Sequence, residues 1–194
     1  MPSKASLTFH HAIQDAVDLV NHFDRLNSQP PPPENEVLKR ASLVMALAAL
    51  ETYFEDRLVE AVDAVAGGAG HLSDFMRDSL ANDLKYFHTP STDRVRPLFQ
   101  KYLGVDITEG WRWNMMEPAQ ARTELNRLAK KRGDIAHRSG RPANGVPAKH
   151  AVSRDDLRRH IHFIRQVVLA TDAVLARYNT ILGSPDGRPG RSNT

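Results

Sequence analysis

Between Leu43 and Leu50 the chain reads Leu-Val-Met-Ala-Leu-Ala-Ala-Leu, an unbroken apolar run inside a stretch with helical signals from about Asn35 to Ala66. A helix that is apolar along one stripe needs one neighbour, whereas a helix apolar on nearly every side needs several and must sit among them. The run therefore predicts a central, deeply buried second helix and makes the rest of the chain its packing partners. At eight residues it is far too short for a membrane span, which takes roughly 20. The start, Met1-Pro2-Ser3-Lys4, leads directly into amphipathic sequence, with no apolar leader segment behind the lysine.

The partners read as helices too. Phe9, Ala12, Ile13, Ala16, Val17, Val20 and Phe23 fall on one helical stripe between Thr8 and Asn27. Pro30 to Pro33 forbid helix and give a short stiff connector, and Gly67, Gly68 and Gly70 stop the second helix. Ser73 to His88 predicts a third helix, and Ser91 caps a fourth that Gly104 ends. Val105 to Met116, with Gly110, Trp111 and Trp113, reads as an ordered loop pinned by its aromatics. Pro118 opens a fifth helix that runs through Leu125 and Leu128 toward Ile135, and Arg138 to Val152 is a loop. Ser153 and Asp156 form a capping-box pattern ahead of a long sixth helix to about Leu182. Strand signals are nearly absent and there is no internal repeat. The expected fold is all-α, an antiparallel bundle of four to six helices over residues 1–183, followed by a disordered basic tail at 184–194.

Composition narrows the function classes. With no cysteine in 194 residues, disulfides and thiolate metal sites are excluded; that absence fits a reducing compartment, and the expected location is the cytoplasm. The net charge is only +3, but Arg122, Arg127, Lys130, Lys131, Arg132, Arg138 and Arg141 crowd one stretch against Glu124 and Asp134. Such an excess attracts polyanions at short range. A helix dipole also favours cations near a C-terminus, so charge alone leaves a plain solvated face open.

Several constellations fail on spacing. His10 and His11 are adjacent, and His160 and His162 diverge by about 200° on a helix, so neither pair converges on a metal. Gly67-Gly68-Ala69-Gly70 lacks the following Lys-Ser/Thr of a phosphate loop. Arg132-Gly133-Asp134 as an adhesion tripeptide needs an extracellular loop, which the composition argues against. Arg132 and His137 remain. Cleaving RNA by its own 2′-hydroxyl needs a base for the hydroxyl proton and a cation for the phosphate oxygens, and these residue types suit both roles. The bare pattern of Arg, four to six residues and then His occurs twice here, also as Arg154 to His160, about as often as chance gives among 19 arginines and nine histidines. Five helical steps separate Arg132 and His137 by about 140°, so they converge only if the helix loosens at Gly133 or a second chain completes the site. A C-terminal histidine stabilised by the helix dipole remains the plain alternative.

The wider context adds a resemblance. Lys131-Arg132-Gly133-Asp134-Ile135-Ala136-His137 resembles the arginine–(x)4–6–histidine signature of HEPN domains, commonly Arg-Asn-x-Ile-Ala-His. Leu47-Ala48-Ala49-Leu50-Glu51-Thr52-Tyr53-Phe54 is similar to the helix segment of the RiboL-PSP-HEPN group and a neighbouring group of that superfamily. Tyr86-Phe87-His88-Thr89-Pro90, Leu103-Gly104-Val105-Asp106 and Trp111 look like the same groups, in the same order, so the resemblance spans roughly Leu43 to Arg138. It implies an all-α bundle that dimerises, with the Arg and His of both chains lining a shared cleft, and a metal-independent ribonuclease of a toxin–antitoxin or phage-defence system. Carried over, Arg132 would bind the scissile phosphate, His137 would be the general base or acid, and Glu51 would orient Arg132. Gly133 departs from the family's usual polar residue, and Asp134 is the candidate to take its place.

The expected partners are RNA, a second copy of the chain that completes the active site, and an antitoxin or defence-system protein, with no membrane, no metal and no cofactor. Lys130, Lys131, Arg138, Arg141 and Arg127 are the expected RNA contacts. The alternative is a non-catalytic helical module that binds nucleic acid, nucleotide or a partner protein. A third reading is a structural subunit whose interface is the aliphatic stripe Ile161, Ile164, Val167, Val168, Val174 and Leu175 of the sixth helix, a stripe that core packing explains equally well.

Overall fold

The computed structural model describes residues 2–26, 32–68, 70–138 and 152–183, with the backbone alone for Pro33, Arg138 and 179–183. Among the described residues there are six α-helices and no strand: α1 (Lys4–Leu26), α2 (Glu36–Ala66), α3 (His71–Leu84), α4 (Thr92–Leu103), α5 (Pro118–Arg138) and α6 (Arg154–Gly183). No helix among them is long and apolar enough to cross a membrane. The expected tail at 184–194 and most of the expected 138–152 loop lie outside the described residues.

The helix with the apolar run is the hub. α1 packs along α2, and α3, α4, α5 and α6 each touch α2 as well. Leu43, Ala46, Leu47 and Leu50 are fully buried, as are Tyr53 and Phe54 one turn further on. Paired contacts fix the directions. Ala5 N–H donates to Glu60 Oε1 at 2.9 Å, Ser42 Oγ donates to the Ala16 carbonyl at 2.6 Å, and Lys39 Nζ sits over the Phe23 ring at 4.6 Å, so α1 runs antiparallel to α2. Asp172 of α6 then ties three helices together: it accepts from the Ser6 hydroxyl of α1, from Tyr53 Oη at 3.0 Å and from Arg57 Nε at 2.8 Å. Burial first, and the Asp172 charge second, push the Tyr53 hydroxyl pKa up, which keeps it a donor.

Two local expectations are corrected and one open alternative is decided. The third helix ends at Leu84 rather than His88, because Tyr86 N–H and Phe87 N–H fold back to the Asp83 and Leu84 carbonyls in tight turns, and this delivers Phe87 to the core. Ser91 precedes α4, but its side chain makes no capping bond; Asn126 of α5 supplies the cap, its Oδ1 accepting from Thr92 N–H at 2.8 Å and Thr92 Oγ1 at 2.9 Å. The aliphatic stripe of α6 is core rather than an interface: Ile161, Ile164, Val167, Val168 and Leu175 are buried and Val174 is half-buried. Gly104 ends α4 in the left-handed conformation, as its position suggested.

The aromatic loop is pinned as expected. Trp111 is wholly buried, stacks on Phe54 at 6.2 Å and donates from Nε1 to Thr171 Oγ1 at 3.0 Å. A single 3-10 turn, Ile107–Gly110, brings the backbone so close to α6 that a Cβ on Gly110 would lie 2.1 Å from Val174 Cγ2. Val174 is β-branched on a helix and cannot swing aside. Gly110→Ala is therefore expected to lose about 1–3 kcal/mol in urea unfolding, and Val174→Ala in the same chain should recover most of it. Equal stability of Gly110→Ala and wild type would contradict this packing.

Candidate functional site

α5 presents two different faces. Ala121, Leu125, Leu128 and Ile135 are buried against the bundle, and Arg132 lies along this side one turn before Ile135. That placement carries its guanidinium to α2, where Nη1 donates to the His88 carbonyl at 2.8 Å and stands 3.2 Å from Glu51 Oε2. The N–H points at the carbonyl, so Glu51 Oε2, itself buried, receives no aligned hydrogen bond and meets Arg132 as a charge. Burial raises the Glu51 pKa above the ordinary carboxylate value, and the Arg132 charge, with His88 behind it, pulls it back. Arg132 is thus a half-buried cation fixed by two partners from other elements, with a quarter of its side chain still open to solvent.

His137 is elsewhere. It is exposed near the end of α5, and α5 is one continuous helix through Gly133 to Arg138. Of the two ways to bring them together, loosening at Gly133 does not occur: α5 stays helical there because glycine, though a poor helix former, is outweighed by the packing on either side. The divergence of about 140° between Arg132 and His137 therefore stands, and the structure does not bring these two together within one chain. Asp134, half-buried, is two steps from Arg132 and points about 160° away from it.

The other basic residues separate in the same way. Lys130 is exposed and Lys131 half-buried. Arg127 is engaged: its Nε and Nη2 each reach a Glu124 oxygen at 2.7 Å, and Nη2 lies 2.9 Å from His160 Nε2. The Arg138 side chain and all of Arg141 lie outside the described residues.

Two histidines gain meaning only from the fold. His88 lies in the turn between α3 and α4, 44 positions from Arg132, and its carbonyl fixes the guanidinium while its ring is exposed. The Tyr86–Pro90 segment was visible in the sequence, but nothing in its spacing marked His88. His160 on α6 is 4 % exposed. Burial, then the charges of Arg127 and Lys131, hold its pKa down at about 4 against the partial opposition of Glu124 and Asp156. It is neutral at pH 7, so Nε2 accepts from Arg127 and Nδ1 carries the proton, buried and without a partner among the described residues. Among the described residues no group of three His, Asp or Glu side chains is placed to hold a metal ion.

A model of the RiboL-PSP-HEPN family matches residues 11–177 of the chain. No curated protein and no solved structure matches it.

Two measurements check this geometry. Below its ordinary pKa of 6.5 an unfolded His160 takes up a proton that the folded one refuses until about pH 4. Stability should therefore fall as pH drops through that window, by at most ~1.4 kcal/mol per pH unit, and His160→Gln should flatten the slope. A Cβ on Gly133 would meet nothing within 4 Å. Gly133→Ala is expected to stabilise the protein by up to about 1 kcal/mol; a lower melting temperature would show that α5 needs the glycine.

Proposed function

Because the chain belongs to the RiboL-PSP-HEPN family, whose members are nuclease or nucleic-acid-related modules, we propose that it is a metal-independent endoribonuclease, acting as a toxin or a phage-defence effector. The observation that carries the reading is the fixed, half-exposed Arg132 held by Glu51 and the His88 carbonyl at the surface of α2. A guanidinium anchored on one side and open on the other is preorganised to receive the two non-bridging oxygens of a phosphate.

In the proposed reaction His137 takes the proton of the ribose 2′-hydroxyl, and the 2′-oxygen attacks the adjacent phosphorus. Charge develops on the phosphate oxygens beside Arg132, the bond to the 5′-oxygen breaks, and that oxygen receives a proton. The products are a 2′,3′-cyclic phosphate and a 5′-hydroxyl. Glu51 is a positioning residue that acts through Arg132, and Lys130 and Lys131, with Arg138 and Arg141, draw in the RNA backbone. The 140° divergence on an unbroken α5 supports a homodimer in which Arg132 of one chain meets His137 of the other. Asp134, turned away from its own Arg132, would then face the same shared cleft in place of the polar residue that Gly133 lacks. An antitoxin or another defence-system protein would be the natural partner of such an activity.

Gly133 favours one rival, a non-catalytic module that binds RNA, nucleotide or protein. One experiment separates them. Purified wild type and His137→Ala are incubated with total RNA and with tRNA in the presence of EDTA. Wild type should leave 2′,3′-cyclic phosphate ends, and His137→Ala should be slower by about 10²–10⁴-fold. Equal cleavage by both proteins would sink the catalytic reading, and RNA binding with no turnover by either would select the rival. Co-expressed Arg132→Ala and His137→Ala chains should regain about a quarter of wild-type activity if two chains share each site, because half of the dimers then keep one intact site. No recovery would place the whole site in one chain.

A further inference from the structure

Away from Arg132, on the opposite side of α5, lies an open cavity of about 950 Å³ between α5, the first turns of α6 and the turn from Trp113 to Met116. Its walls combine two chemistries. Trp113 and Phe163 pack at 5.7 Å, and Met115 at the turn's tip is 95 % exposed. Arg127 and Arg159 stand at the cavity, each with a carboxylate neighbour, and the buried neutral imidazole of His160 joins the lining. The partly exposed Trp113 ring, bordered by guanidinium groups, suits a planar, polar-edged ring attached to a phosphate.

The cavity is also connected to the candidate chemistry by the helix itself. Gln120, Thr123 and Arg127 line it, and the same row continues at steps of three and four through Lys130 and Asp134 to His137. His137 and the cavity therefore share one face of α5, whereas Arg132 does not. Ten residues separate Arg127 from His137, a rise of about 15 Å, which an extended single strand covers in about two or three nucleotides. Lys130 and Lys131 flank the path between them.

We propose that this cavity is a base-binding subsite for single-stranded RNA. It takes the nucleobase about two or three nucleotides from the cleaved bond, stacked against Trp113, with Phe163 behind that ring and Arg159 beside its phosphate. The position relative to the cleaved bond rests on the ribonuclease reading above; the binding itself does not.

The test is a binding scan. Short single-stranded RNAs, made uncleavable by 2′-deoxy substitution, carry one abasic position moved along the strand. With wild type, one position should weaken binding by about 5- to 100-fold. With Trp113→Ala the intact RNA should bind that much more weakly and the same abasic position should cost nothing further. Arg159→Ala, at a side chain 71 % exposed and so harmless to folding, should weaken binding of every RNA and reduce its salt dependence by about one ion. If no abasic position matters, or if the penalty persists in Trp113→Ala and Arg159→Ala binds as wild type does, the subsite is overturned. Because the scan involves no turnover, a failure of the cleavage reading, seen as His137→Ala cutting like wild type, is a separate result.

Discussion

A helix that is apolar around most of its circumference needs neighbours on several sides, and α2, whose run from Leu43 to Leu50 leaves Met45 alone exposed, imposes that condition on the helices around it. Its central residues Leu43, Ala46, Leu47 and Leu50 are fully buried, and five other helices supply the surroundings. Burying that apolar surface is worth roughly 25 cal/mol per Å², but it is non-directional and does not choose the register of the neighbours. Polar groups at the margins do. Asp172 accepts from Ser6, Tyr53 and Arg57, so α1, α2 and α6 can slide past one another only by breaking several bonds to a partly buried carboxylate. Losing one partner of such a group leaves a desolvated charge, which costs more than the bond itself contributes.

The same logic places the candidate site. Glu51 is a carboxylate on the most buried helix, and a charge there is tolerated only with a counter-charge nearby. Arg132 of α5 provides it and is fixed in turn by the His88 carbonyl. A structural requirement of α2 and a preorganised cation at the surface are therefore one contact. This is also why Arg132 faces the bundle while Arg127 and Lys130 are exposed. One side of α5 carries an anchored guanidinium, and the other a mostly exposed row that ends in His137.

That row is legible only because α5 stays regular. Had Gly133 broken the helix, His137 would have lost its alignment with Arg127, Thr123 and Gln120, and the Trp113–Phe163 cavity would have no geometric link to it. Packing of Leu128, Ala129 and Ile135 on either side of the glycine keeps the helix straight where local propensity is weakest.

What the sequence determined by itself was the class of fold and the identity of its hub. Six helices, the proline start of α5, the glycine ends of α2 and α4 and the pinned tryptophan loop all follow from periodicity and from the backbone limits of Pro and Gly, which act within a few residues. The Arg132–His137 pattern and the segment around Glu51 were visible only as a resemblance to a known family. Tertiary structure alone decided which side chains met. Asn126, and not Ser91, caps α4, because the partner arrives from 34 residues away. His88 braces Arg132 across 44 residues, His160 sinks beside Arg127, and the aliphatic stripe of α6 turns inward. Periodicity tells which residues share a face; it is silent on what that face will touch. The angle between Arg132 and His137 was fixed by the helix period, but that α5 would remain straight enough to preserve it was settled by packing.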